Sequence, residues 1–134
     1  MLSAVPYMSL ILAMVLAYWP RAVAGQQMGV MPGGYDNHNP RDQQARLDGR
    51  GRRALAAHLN GMEALLVFGI AVLAAAQRQV SIRVQLVCCG IFLLARLIYV
   101  LAYLNDKPSL RSGMFAVGMI PCFFLLGAAV FARG

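Results

Sequence analysis

The chain has 134 residues, enough for one domain. Its apolar fraction is 60% and its charged fraction 13%, against about a quarter charged in a typical soluble domain; this excludes an ordinary soluble enzyme and points to a membrane protein. The formal charge of +7 comes from 12 Lys and Arg against 5 Asp and Glu. These basic residues flank apolar segments without an aromatic-interleaved patch or a nucleic-acid module, so anionic headgroups and not nucleic acid are the expected partners.

The first apolar segment runs from about Leu2 to Ala24, "LSAVPYMSLILAMVLAYWPRAVA". Its end, "RAVAG", has the small residues of a signal-peptidase site. No charged side chain precedes the apolar run, however, so it reads as a span and not as a leader. Tyr18 and Trp19 suit the membrane interface, and Pro20 is expected to kink or end the helix. The stretch from about 25 to 50 contains "MPGGYDNHNPRDQQARLDGRG". Its Gly, Pro, Asn and Asp content predicts irregular structure, and a loop of that length is usually functional or disordered. His38 is expected to be an ordinary loop residue.

Three further apolar segments follow, at about 54–76, 84–104 and 112–132, joined by "QRQVSIR" and "NDKPSLRS". Each segment has about the 20 residues that a helix needs to cross the hydrocarbon core. Backbone groups in lipid must bond within their own segment. The predicted fold is therefore all-α, an integral membrane four-helix bundle in a single domain over 1–134. Cys88, Cys89 and Cys122 lie inside apolar runs, lack zinc-site spacing and are odd in number, so they read as buried thiols and no metal site is expected.

Orientation follows from counting basic residues. Arg21, Arg41, Arg46, Arg50, Arg52 and Arg53 belong to the first connection and its flanks, and Lys107 and Arg111 to the third. The other side has Arg78, Arg83 and Arg133. The richer side should be cytoplasmic, with both termini across the membrane. The expected location is a multi-pass position in a bacterial inner membrane.

Several spans carry polar residues. At about 100° per residue, Arg53, Asn60 and Glu63 share one face of the second span, and His58 points away from it. Arg96, Tyr99 and Tyr103 form a stripe on the third, and Arg111 and Ser112 stand at the start of the fourth. All fall at the same end and can converge. Ionisable residues in spans mark a site by default. The alternative is that Glu63 pairs with Arg96 or Arg53 and only pins helices together. Residue chemistry alone leaves both open. Polar groups clustered at one end, with no broken-helix pair and no inverted repeat, argue against a transporter.

The pieces "RALAAHLNGMEA" and "ARLIYVLAYLNDKPSLRS", with this span pattern, resemble the MAPEG family of membrane-associated proteins in eicosanoid and glutathione metabolism, and its bacterial branch in particular. The resemblance implies a homotrimer that binds glutathione as co-substrate between neighbouring subunits near the cytosolic edge. By motif, Asn60 and Glu63 would contact the peptide's polar groups, Arg53 and Arg96 its carboxylates, and Tyr99 and Tyr103 would line the site. Arg111, with Ser112 nearby, would face the sulfur. The chain departs from the family pattern at Ala56, where an arginine is frequent, and at Ala64, where an aromatic occurs. The implied activity is a glutathione transferase or peroxidase acting on lipophilic electrophiles. A non-catalytic scaffold or lipid-binding subunit on the same fold is the alternative.

The chemistry has its own logic. Arginine forks match carboxylates, and a carboxylate such as Glu63 matches an ammonium. The thiolate is the nucleophile, so a guanidinium beside the positive end of a helix dipole favours it. Apolar electrophiles reach such a site from the bilayer and the peptide reaches it from the water.

Overall fold

The computed structural model describes residues 4–132. Arg133, counted above for orientation, and the first residues of the expected first span lie outside them. Five helices follow in order: α1 Val5–Gly29, α2 Pro40–Ala45, α3 Gly49–Gln77, α4 Ile82–Leu104 and α5 Pro108–Phe131. All but α2 are long and apolar enough to cross a membrane. The protein is thus an all-helical integral membrane bundle with four candidate spans. α3 and α4 each pack on the other three long helices, and α1 and α5 sit at opposite corners.

Small residues set the closest crossing. Ala54, Ala57, Gly61, Ala64, Ala71 and Ala75 are buried on one side of α3 at helical spacing. In lipid, helices associate through close packing and not through transfer from water, and small residues let backbones approach. A Cβ on Gly61 would stand only 3.0 Å from Ala17 Cα and 3.2 Å from Ala17 Cβ. Glycine is what permits α1 and α3 to meet there.

The first span does not end at Pro20. α1 continues to Gly29 with Pro20 inside it and buried. Proline removes one backbone donor and frees the carbonyl of Leu16. In a bundle, neighbouring helices can re-satisfy disturbed backbone. One residue on from Leu16, the Ala17 carbonyl meets His58 Nδ1 at 2.9 Å, and the His58 ring tilts against Tyr18 at 5.3 Å. His58, which points away from the Asn60 face as its spacing predicts, is therefore a half-buried tie between α3 and α1.

The connection is also more ordered than its composition predicts. α1 enters it, α2 occupies its middle, and α3 begins at Gly49, before the expected start near 54. Gln43 organises the turn. It is 3% exposed, donates to the carbonyls of Met28 at 3.1 Å and Gly34 at 2.7 Å, and accepts from the Asp36 N–H at 2.9 Å. Asp36 Oδ1 accepts from the N–H groups of His38 and Asn39, each at 2.9 Å, an Asx turn that leads into Pro40 at the start of α2. Composition could not reveal this, because the order depends on one amide buried under the turn.

The core divides along the bundle. At one end Phe68 and Phe92 stack with centroids 3.8 Å apart, among buried Cys88, Cys89 and Cys122, all free thiols. At the loop end Met28, Leu47, Ala54, Tyr99, Val100 and Leu104 form a second cluster. Two of the predicted site residues belong here: Tyr99 is a member of this cluster and Tyr103 packs against it. α5 begins at Pro108, earlier than expected, because proline suits the first helical position. At the far end Arg78 donates through Nε to Ala129 O and through Nη2 to Ala132 O, at 3.2 and 2.6 Å. Part of the charge counted for orientation thus closes off the last carbonyls of α5.

Candidate functional site

The polar residues of three helices meet at the loop end. Arg96 is 3% exposed in α4 and donates from Nη1 to Asn60 Oδ1 on α3 at 3.0 Å. Asn60 Nδ2 points on to Glu63 Oε2 at 3.5 Å, one turn along α3. On its other side the Arg96 guanidinium lies 4.0 Å from the centroid of Tyr99. Tyr99 meets Tyr103 edge-on at 5.6 Å, and the Arg111 guanidinium sits 4.6 Å from the centroid of Tyr103. The result is one continuous ladder, Glu63, Asn60, Arg96, Tyr99, Tyr103, Arg111, with a carboxylate at one end and a guanidinium at the other.

Local structure explains the order. Asn60 and Glu63 are three apart and so are neighbours on a helix surface. Arg96 and Tyr99 repeat that spacing, and Tyr103 follows four later. Arg111 stands in the first turns of α5, where its backbone N–H donates to Lys107 O at 2.9 Å, so it lies at the positive end of that helix. Stacking on aromatic faces holds both guanidiniums without consuming all of their in-plane donors. Arg96 Nη2 is buried with no hydrogen-bond partner. A buried, unsatisfied donor on a charged group is costly, and it marks the ladder as able to take a further acceptor.

Two expected residues, Arg53 and Ser112, stand apart from the ladder. Arg53 instead forms the one ion pair among the described residues, Nη1 to Asp106 Oδ2 at 3.8 Å, and its Nε is buried without a partner. Ser112 is exposed at the start of α5. Glu63 pairs directly with neither arginine and reaches Arg96 only through Asn60. It is exposed, on the same side of α3 as exposed Leu59, Leu66, Ile70 and Leu73. Sequence reasoning missed Asp106, whose carboxylate projects from the α4–α5 turn. The available signal was an aspartate directly before "KP", where a positive φ is tolerated.

Four lipid-length helices, with a ladder of polar side chains from three of them at the loop end, make a polytopic membrane protein with a candidate polar site at that end. The family model described as MAPEG family matches residues 4–131. The chain therefore belongs to that family, the membrane proteins of glutathione and eicosanoid metabolism. No curated protein and no solved structure was found to match the chain.

Proposed function

We propose that the protein is a glutathione-dependent transferase or peroxidase for lipophilic electrophiles, with glutathione held at the ladder of α3, α4 and α5. The observation that carries this reading is the ladder itself, because it offers a carboxylate for the ligand's ammonium and guanidiniums for its anionic groups. Glutathione has two carboxylates, an ammonium and a thiol. The exposed Glu63 carboxylate suits the ammonium. The orphaned donors of Arg96 and Arg53 suit carboxylates. Arg111, beside Tyr103 and the α5 N-terminus, suits a thiolate. Bound there, glutathione supplies a sulfur nucleophile. The protein's part is to hold the ends, stabilise the anion and admit an apolar partner from the bilayer. Ser112, exposed next to Arg111, is a second candidate to face the sulfur.

The same reading includes a homotrimer, expected in a bacterial inner membrane with the 25–50 connection cytoplasmic. A carboxylate facing lipid costs several kcal/mol, and Glu63 is exposed on a single subunit. A neighbouring copy covering the α3 stripe removes that cost and completes the site. The family-pattern departures favour a second reading, a scaffold without catalysis: Ala56 carries no guanidinium, and Ala64 is buried in the core and contributes no aromatic.

Thermal unfolding of the purified protein in detergent separates the two readings. A ligand at about 100 times its Kd stabilises the native state by about 2.7 kcal/mol. Glutathione is expected to raise the midpoint of wild type saturably, and to raise that of Glu63→Ala far less. An unchanged wild-type midpoint, together with no conjugation of glutathione to a chlorodinitrobenzene, leaves the scaffold.

A further inference from the structure

Arg53 and Asp106 lie at the same rim as the ladder and take no part in it. Their contact is loose. At 3.8 Å it is Coulombic and longer than a charge-assisted hydrogen bond of about 2.7–2.9 Å. The side chain of Asp106 is 72% exposed and that of Arg53 is 31% exposed. The Arg53 Nε, meanwhile, is buried and unpartnered. A guanidinium has five donors in a planar fork suited to a two-oxygen grip. Here the fork is held by one distant oxygen and has a donor left over.

The two partners differ in how firmly they are held. Asp106 sits at φ 55 in the α4–α5 turn. Around it Asn105 Nδ2 donates to Leu101 O at 2.8 Å, and the Lys107 N–H donates to Ala102 O at 2.8 Å. These bonds close the C-terminus of α4 and fix where the Asp106 carboxylate projects. Arg53 is a long side chain whose described polar contact is this one ion pair, so it is the partner free to change hands.

Resting on the proposed glutathione site, we propose that Asp106 is an internal stand-in for the ligand's carboxylate: it holds Arg53 in the ligand-free protein and yields it when a carboxylate of the peptide arrives. No bond is made or broken beyond this exchange of ion-pair partners. Asp106 is thus a positioning residue that acts through Arg53. It sets a threshold, because only a ligand with a carboxylate gripping Arg53 better than Asp106 does gains from the exchange. It also ties ligand arrival to the turn that leads into Arg111.

The test is a binding cycle by calorimetry in detergent on wild type, Asp106→Asn, Arg53→Gln and the double variant. The ligands are glutathione and its two derivatives with one carboxylate neutralised as an ester or amide. An exposed ion pair contributes under about 1 kcal/mol, so Asp106→Asn is expected to tighten glutathione binding by about two- to fivefold. The gain should vanish in the Arg53→Gln background, and with at least one of the two neutralised derivatives. A merely structural role for Asp106 would move neither comparison. Binding that is unchanged or weaker in Asp106→Asn, with wild type still binding glutathione, overturns the stand-in and leaves the site intact. Absence of binding in all four proteins overturns the site and the stand-in together.

Discussion

In Arg111→Ala, the thiol of bound glutathione is expected to titrate about two pH units higher than in wild type, back near its free value of about 8.5. A cation beside an acid stabilises the anion and lowers the pKa, so removing the guanidinium raises it. Two units correspond to about 2.7 kcal/mol of preferential stabilisation of the thiolate, which a partly desolvated arginine at a helix N-terminus can supply. The difference is greatest between the two midpoints. At pH 7 the thiolate fraction should fall by about 25-fold, and above about pH 9.5 the two proteins should converge. The conjugation rate should fall less than the thiolate population, because a more basic thiolate is the better nucleophile. Ultraviolet thiolate absorbance of the binary complex, followed against pH, measures the midpoint directly. Superimposable titrations of the two proteins would remove Arg111 from the sulfur.

Asn60→Ala should be among the most destabilising single substitutions in the bundle. Its side-chain oxygen is the hydrogen-bond acceptor of Arg96, a guanidinium 3% exposed that already has one buried donor without a partner. Removing the acceptor strands a second donor of a buried charge. The expected cost is about 2–4 kcal/mol, between the loss of a hydrogen bond to a charged group and the breaking of a buried ion pair. The apparent melting midpoint in one detergent should drop by several degrees. Adding Arg96→Met should recover part of the loss, because the double variant buries no unpaired charge and keeps a flexible apolar side chain over Tyr99. If Asn60→Ala melts with wild type, Asn60 is not what compensates Arg96. If the double variant melts lower still, the cost of Asn60→Ala has another source.

Much of this arrangement was legible in the residues. Four spans follow from apolar length alone. Periodicity predicted that Asn60 and Glu63 share a face and that Arg96, Tyr99 and Tyr103 share another, and the helices bring both faces together. What periodicity cannot supply is which way a face turns within the bundle. Arg53 lies on the same calculated face as Asn60, yet its side chain goes to Asp106 on the α4–α5 turn. Glu63 was weighed as a direct partner of an arginine, yet Asn60 stands between it and Arg96. Periodicity turns His58 away from the polar face but cannot name its partner, because that partner is in α1, 41 positions away in sequence. Pro20 signals a kink or an end without saying which, and within the bundle α1 runs through it to Gly29.

The connection shows the limit in another form. Gly, Pro, Asn and Asp signal turns, and turns are present, but the order depends on the buried amide of Gln43, which reaches α1 and two loop positions at once. A glutamine in a polar stretch carries no mark of being buried. Met28 and Leu47, buried together in the loop-end cluster, likewise come from opposite ends of the connection.

The most direct measurement is a density map of the protein in a lipid nanodisc at saturating glutathione. The account predicts tripeptide density at a boundary between two copies, its ammonium toward Glu63 and Asn60 and its sulfur toward an Arg111 guanidinium. A map with no such density, and with the Glu63 carboxylate turned to lipid away from every Arg111, would contradict it.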